Sequence, residues 1–214
     1  TPLYSSAASD VYKRQGYDSP DDNKIRTHVK AYLENTSCNL VGVCDNDLYK
    51  LNDLKSRWGI VPTFTDLDSM LSSCNIDLLS ICTPTEFHLE SFQSAANANI
   101  KRVWMEKPSS NNSASIQEMI QVGNDKGMEV YVNYFRRYDH GFMKVKEALP
   151  DIGKLNNVIG HYSKGIRNNA SHLLDLMVWL FGKVSSQRLL TDIKDGAYPS
   201  ASFKLAVRGL SQIT

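Results

Sequence analysis

Short apolar runs recur along this chain, and helical sequence fills the intervals between them. The runs LVGVC ending at Cys44, DLLSIC ending at Cys82, KRVWM ending at Met105 and MEVYV ending at Val132 are apolar almost throughout rather than alternating. A strand buried on both faces reads that way, whereas a half-buried strand alternates. Between the runs, Ile25, His28, Val29, Tyr32 and Leu33 fall at i, i+3, i+4, i+7 and i+8, the stripe of a helix with one buried face. LYKLNDLKSRW repeats the helical spacing and is closed by Gly59; a short helix is expected near 67–71, another up to about Asn97, and SASIQEMIQVGNDK is closed by Gly127. Strands alternating with helices of ten or more residues build a parallel sheet covered on both sides. The sequence therefore predicts a doubly wound α/β domain over 16–135.

Beyond about Phe135 the pattern changes. A helix is expected over 142–149, LNNVIGHYSKG alternates like an antiparallel strand, a second helix is expected over 169–181, and weak strands are expected near Arg188 and Phe203. Residues 136–214 read as the start of an α+β domain with a mostly antiparallel sheet. The first fifteen residues, TPLYSSAASDVYKRQ, carry neither period and resemble a translated sequencing adapter. They are expected to be a non-native arm, which leaves the α/β domain without its first strand. With Thr1 in place of Met, the chain is expected to be a piece of a larger protein, truncated at both ends.

Composition removes several classes of function. The 24 Lys+Arg and 23 Asp+Glu leave a net charge of +1, without the basic excess that a nucleic-acid binder gathers on one face. No apolar run approaches the ~20 residues of a membrane helix. Cys38, Cys44, Cys74 and Cys82 form no C-x-x-C pair, so zinc and thioredoxin spacings are absent and no metal site is expected. With no secretory signal, a reducing cytoplasm is the expected compartment.

In an open parallel sheet, ligands bind outside the carboxyl ends of the strands. Polar residues stand at four such ends: Asp45; Thr83 and Pro84; Glu106, Lys107 and Pro108; Asn133 and Arg136. An acid closing the second strand suits a ribose 2′-hydroxyl and repels a 2′-phosphate, which favours NAD over NADP. The glycine-rich phosphate loop G-x-G-x-x-G is absent; Gly16 stands where its last glycine would.

These residues resemble the Gfo/Idh/MocA family of glucose-fructose oxidoreductase and inositol dehydrogenase type. The matching pieces are VGVCDND, SICTPTEFH, WMEKPSS, VYVNYFRRYD and GIRNNASHLLDLMVWLFG. The resemblance implies a Rossmann domain followed by a substrate domain, and a hydride exchanged between a nicotinamide and a sugar, cyclitol or nucleotide-sugar hydroxyl carbon. It also implies a homo-oligomer. It assigns Lys107 to the lysine beside the nicotinamide, Glu106 to the acid before it, and Thr83 and Pro84 to the loop beneath the cofactor. Asn133 and Arg137 fall on the substrate side, His172 matches the catalytic histidine, and Asp175 the acid three residues on. Many members carry Asp four residues before that histidine; this chain has Asn168, which can hold a hydroxyl but cannot accept a proton.

Alcohol oxidation needs a hydride acceptor and a base with a pKa near the operating pH. His172, in the first turn of its helix, meets the positive dipole end, which disfavours imidazolium and leaves a base. Lys107 closes a buried strand and could orient the hydroxyl or stabilise the alkoxide; the reverse assignment of the two stays open. His28, His88, His140 and His161 read as structural. Asp175 reads equally as an ion-paired helix residue or a substrate contact. Two other functions share this scaffold: an NAD-dependent glycoside hydrolase, and a non-catalytic NAD-binding regulator, the latter suggested by Asn168.

Overall fold

The structure is a computed structural model that describes residues 2–5, 21, 23–59, 62–153, 155, 157–192 and 200–207. The chain divides into two compact units, Thr1–Asn133 and Tyr134–Thr214.

The first unit is a six-stranded parallel sheet. Its strands are β1 (Pro2–Ser5), β2 (Asn39–Cys44), β3 (Thr63–Phe64), β4 (Leu78–Ile81), β5 (Arg102–Met105) and β6 (Glu129–Val132), in the order β3-β2-β1-β4-β5-β6. This is the doubly wound order of dinucleotide-binding domains, whose switch point lies between β1 and β4. Among the described residues, helices between the strands are α1 (His28–Glu34), α2 (Leu48–Trp58), α3 (Leu67–Ser73), α4 (His88–Asn97) and α5 (Ser113–Lys126).

One expectation is corrected here. The first strand is present, and it comes from the arm read as non-native. Pro2–Ser5 pairs in parallel with Asn39–Val43 on one side and with Leu78–Ser80 on the other. The pairing is made by backbone N–H and C=O groups, which any extended segment carries. Four residues are too few to display a hydrophobic period, so the strand left no signature.

Local chemistry sets the helix ends. Thr27 Oγ1 accepts from Lys30 N at 3.3 Å, Asp47 Oδ1 from Tyr49 N at 2.9 Å, Asp66 Oδ2 from Ser69 N at 2.7 Å and Asn112 Oδ1 from Ser115 N at 2.8 Å. Each cap satisfies a backbone donor that the first helical turn leaves open. Gly127, at φ 61°, closes α5 in the left-handed region that favours glycine. The buried stripe of α1 is narrower than its spacing suggested. Val29 and Tyr32 are buried, but Ile25 precedes the helix at 56% exposure and Leu33 lies at its end at 43%.

Two apolar layers hold the sheet. Val29, Tyr32, Leu40, Val43, Leu51 and Leu54 form one, drawn from α1, α2 and β2. Met70, Leu79, Ile81, Phe92, Val103, Met105 and Met119 belong to the other, drawn from α3, α4, α5, β4 and β5. Phe92 is fully buried. Its replacement by alanine is expected to cost about 3 kcal/mol, the cavity left by an aromatic ring included. Urea unfolding checks this as a lower midpoint with an unchanged slope.

The second unit opens with a 3₁₀ turn (Phe135–Tyr138) and continues through α6 (His140–Ile152), a π-type turn (Ile166–Ala170), α7 (Ser171–Phe181) and an antiparallel pair, β7 (Val184–Leu189) with β8 (Phe203–Val207). The strand expected in LNNVIGHYSKG does not form among the described residues of 155–165. Lys164 at φ 59° and Gly165 at φ 80° break the extended path. Tyr162 attaches its segment by side chain instead: its ring stacks on Phe203 at 6.1 Å and its hydroxyl accepts from Ala201 N at 2.9 Å. No helix among the described residues is long and apolar enough to cross a membrane.

Candidate functional site

In the first unit, the sheet brings four strand ends to one edge by backbone pairing. Asp45 N donates to Phe64 O at 3.1 Å, Glu106 N to Ile81 O at 2.8 Å and Asn133 N to Met105 O at 2.8 Å. The side chains that follow these ladders are therefore set in register.

A cluster of polar side chains fills the space around Glu106. His28, from α1, places Nδ1 3.1 Å from Ser80 Oγ and donates from Nε2 to Glu106 Oε1 at 3.0 Å. Asn133 Nδ2 donates to the same Glu106 oxygen at 2.6 Å and lies 3.4 Å from His28 Nε2. The backbone N–H of Lys107 reaches Glu106 Oε2 at 3.2 Å. Trp104 covers the imidazole at 4.1 Å between ring centres, and the hydroxyl of Tyr32 meets Ser80 Oγ.

Charge explains the arrangement. Burial works against a cation at His28, but contacts with Cys82 and with the Glu106 carboxylate outweigh it and raise its pKa to about 10. Burial likewise opposes the Glu106 anion. Hydrogen bonds from His28 and Asn133 and the imidazolium charge overcome that penalty, so Glu106 is held below the ordinary carboxylate range. Burial pushes the Tyr32 phenol well up.

The remaining strand-end residues are set more openly. Asp45 is half-buried, and its Oδ1 accepts from Asp47 N at 3.0 Å. Pro84 precedes a single 3₁₀ turn (Thr85–Phe87). Thr83 Oγ1 is buried and has no hydrogen-bond partner among the described residues. An orphaned hydroxyl just after β4, a strand that borders the switch point, is what a bound ligand would satisfy, so the residues present fit a dinucleotide at this edge. His88, buried, lies with its ring nitrogens 2.9 Å from Thr83 O and 3.2 Å from Ser109 O, tying the loop after β4 to the loop after β5. Lys107 is half-buried and its bond to Pro108 is cis. Gly16 lies outside the described residues.

The second unit assembles a separate group. His172 sits in the first turn of α7, almost wholly buried, with Tyr134 edge-on at 5.7 Å and Phe135 at 5.1 Å between ring centres. Arg137 Nε donates to Asp175 Oδ2 at 2.8 Å, and its Nη2 donates to Oδ1. Arg137, expected on the substrate side, and Asp175 thus form a bidentate ion pair, with the Asp175 side chain 7% exposed. The hydrogen bond to Asp175 raises the Arg137 pKa, and burial followed by the Asp175 charge raises that of Tyr134. Asn168 lies in the π-type turn, where Ala170 N donates to Gly165 O at 3.2 Å and Ser171 Oγ to Asn168 O at 2.7 Å. Single π turns recur at functional sites. No cluster of metal-ligating side chains occurs among the described residues.

His28 is the member of this geometry that sequence reasoning passed over. A signal existed: the helix over His28–Glu34 carries a titratable ring at i, i+4 with the buried Tyr32, so it had to meet polar partners at the sheet edge.

The family model described as an oxidoreductase family with an NAD-binding Rossmann fold matches residues 23–134. Myo-inositol 2-dehydrogenase of Thermotoga maritima is 31% identical over 107 residues, covering 49% of this chain and 32% of the relative. Inositol 2-dehydrogenase of Rhizobium meliloti is 28% identical over 133 residues, covering 62% of this chain and 39% of the relative. Among solved structures, scyllo-inositol dehydrogenase from Lactobacillus casei with bound NAD(H) and scyllo-inositol superposes with a TM-score of 0.71 at 20% identity, over 92% of this chain and 61% of that one. The chain spans well under half the length of these two curated relatives.

Proposed function

Since the chain belongs to the Gfo/Idh/MocA family of oxidoreductases, we propose that it transfers a hydride between NAD and the hydroxyl-bearing carbon of a sugar, cyclitol or nucleotide sugar. The observation that carries this reading is the row of polar groups at four parallel strand ends beside the switch point, with the Thr83 hydroxyl left unsatisfied among them. The inositol dehydrogenases among its relatives support the substrate class.

When bound, the nicotinamide supplies the hydride acceptor. Asp45 accepts from the ribose hydroxyls and its charge disfavours a 2′-phosphate, which selects NAD over NADP. Thr83, Pro84 and Glu106 shape the floor of the cofactor site. Lys107 presents its ammonium to the substrate hydroxyl and stabilises the developing alkoxide. His172, walled by Tyr134 and Phe135, takes the proton from that hydroxyl. Asn168 holds a neighbouring hydroxyl without taking a proton. Asn133 and the Arg137–Asp175 pair set the substrate side. The cysteines, none in a disulfide, suit a reducing cytoplasm.

Net formation of reduced nicotinamide on mixing the chain with NAD and a panel of cyclitols and sugars is the expected result. Sugar release with no net change in NAD would favour the glycoside hydrolase. Saturable NADH binding with no turnover of any polyol would favour the regulator.

A further inference from the structure

Glu106 accepts hydrogen bonds at both oxygens: His28 and Asn133 donate to Oε1, and the Lys107 backbone to Oε2. Only an ionised carboxylate is acceptor-only at both atoms; protonation would turn one of these contacts donor against donor. The groups facing the His28 ring are Tyr32 from its own helix, Ser80 and Cys82 from β4 and its end, Trp104 and Glu106 from β5 and its end, and Asn133 after β6. Within that shell Cys82 and Glu106 both favour the imidazolium, and Glu106 is the partner that its Nε2 meets at 3.0 Å. The imidazole also engages Ser80 through its other nitrogen at 3.1 Å, so its ring is fixed at two points and under an indole face.

We propose that His28 is a positioning residue: its imidazolium keeps Glu106 ionised, and ionised Glu106 fixes the backbone turn that presents Lys107. This rests on the reading of Lys107 as the residue that meets the substrate hydroxyl. His28 acts two steps from the chemistry, through a carboxylate and one peptide N–H.

The test follows the Lys107 amide signal by nuclear magnetic resonance through an acid titration of the isotope-labelled 214-residue chain. In the unaltered chain the signal tracks protonation of Glu106 below the ordinary carboxylate range. In His28→Gln, which keeps an N–H donor and loses the charge, the same transition is expected at higher pH, with proton affinity raised about tenfold or more. In Glu106→Gln the Lys107 signal is expected to stop titrating. A folded His28→Gln whose Lys107 signal keeps its position and its transition overturns the proposal. If His28→Gln does not fold, a Lys107 signal that still titrates in Glu106→Gln overturns it equally. On turnover, His28→Gln is expected to lower kcat about tenfold while changing KM for NAD by less than about threefold, as misplacement of a positioned group does. Full turnover by Lys107→Met would remove the functional reading and leave the Lys107 amide to decide the role of His28.

Discussion

Tyr4→Pro is expected to unfold the first unit. Tyr4 lies in β1, between β2 and β4, opposite Gly42 on one side and Leu79 on the other. Proline cannot donate to either ladder, and its ring locks φ where a central strand needs a more extended value. The direct penalty is about 3 kcal/mol or more. The indirect loss is larger: without β1 the sheet parts into β3-β2 and β4-β5-β6, because no other strand among the described residues joins the two halves. The two apolar layers would then each lose continuity at the middle. Since a domain's whole margin is about 5–15 kcal/mol, the cooperative transition itself is expected to disappear. Circular dichroism through a thermal ramp checks this. A sigmoidal melt at the unaltered temperature would mean that β1 adds nothing to the sheet.

The second large effect is a dependence of stability on pH that His28 and Glu106 impose together. The His28 pKa is raised from 6.5 to about 10 on folding, so its contribution is fully present below 6.5 and is lost as pH climbs towards 10. Glu106 is lowered from 4.5, so its contribution is present above 4.5 and is lost as pH falls through its folded value. The window of greatest stabilisation is therefore mildly acidic, between 4.5 and 6.5. The alkaline loss traceable to His28 is at most about 5 kcal/mol, at 1.36 kcal/mol for each pKa unit. Urea midpoints of the chain and of His28→Gln, measured from about pH 5.5 to about pH 9.5, check it. The difference between the two is expected to be largest at the acid end and to shrink steadily as pH rises. A constant difference would show that the imidazole is not charged in the folded chain.

Much of this organisation was legible in the residues. β2, β4 and β5 announced themselves as apolar runs because both faces of an inner parallel strand are covered; β6 carries the same kind of run at the sheet edge, where Glu129, Val130 and Tyr131 are exposed. The helices between them announced their ends through Gly59 and Gly127, whose chemistry is local. The polar residues at the four strand ends were legible for the same reason: the end of an apolar run marks where the sheet stops. β1 was not legible, since its pairing is a property of the gap between β2 and β4 rather than of its own four residues. The segment around Ile159 misled in the opposite way. It alternates, yet alternation builds a strand only where a neighbouring edge is available, and Tyr162 meets its neighbours by ring and hydroxyl. The ion pair of Arg137 with Asp175 spans 38 positions, a separation at which sequence can name two charged residues but cannot join them. His28 illustrates the same limit, because its partner Glu106 is 78 positions away.

The first unit ends at Asn133 and the second begins at Tyr134. Asn133, the last residue of the first unit, is anchored by its backbone to Met105 and by its amide to Glu106. Tyr134, the first of the second, has its ring against His172. Each of these neighbours spends its side chain inside its own unit, so a substitution at Asn133 would be read at the Glu106 carboxylate and one at Tyr134 at the His172 imidazole.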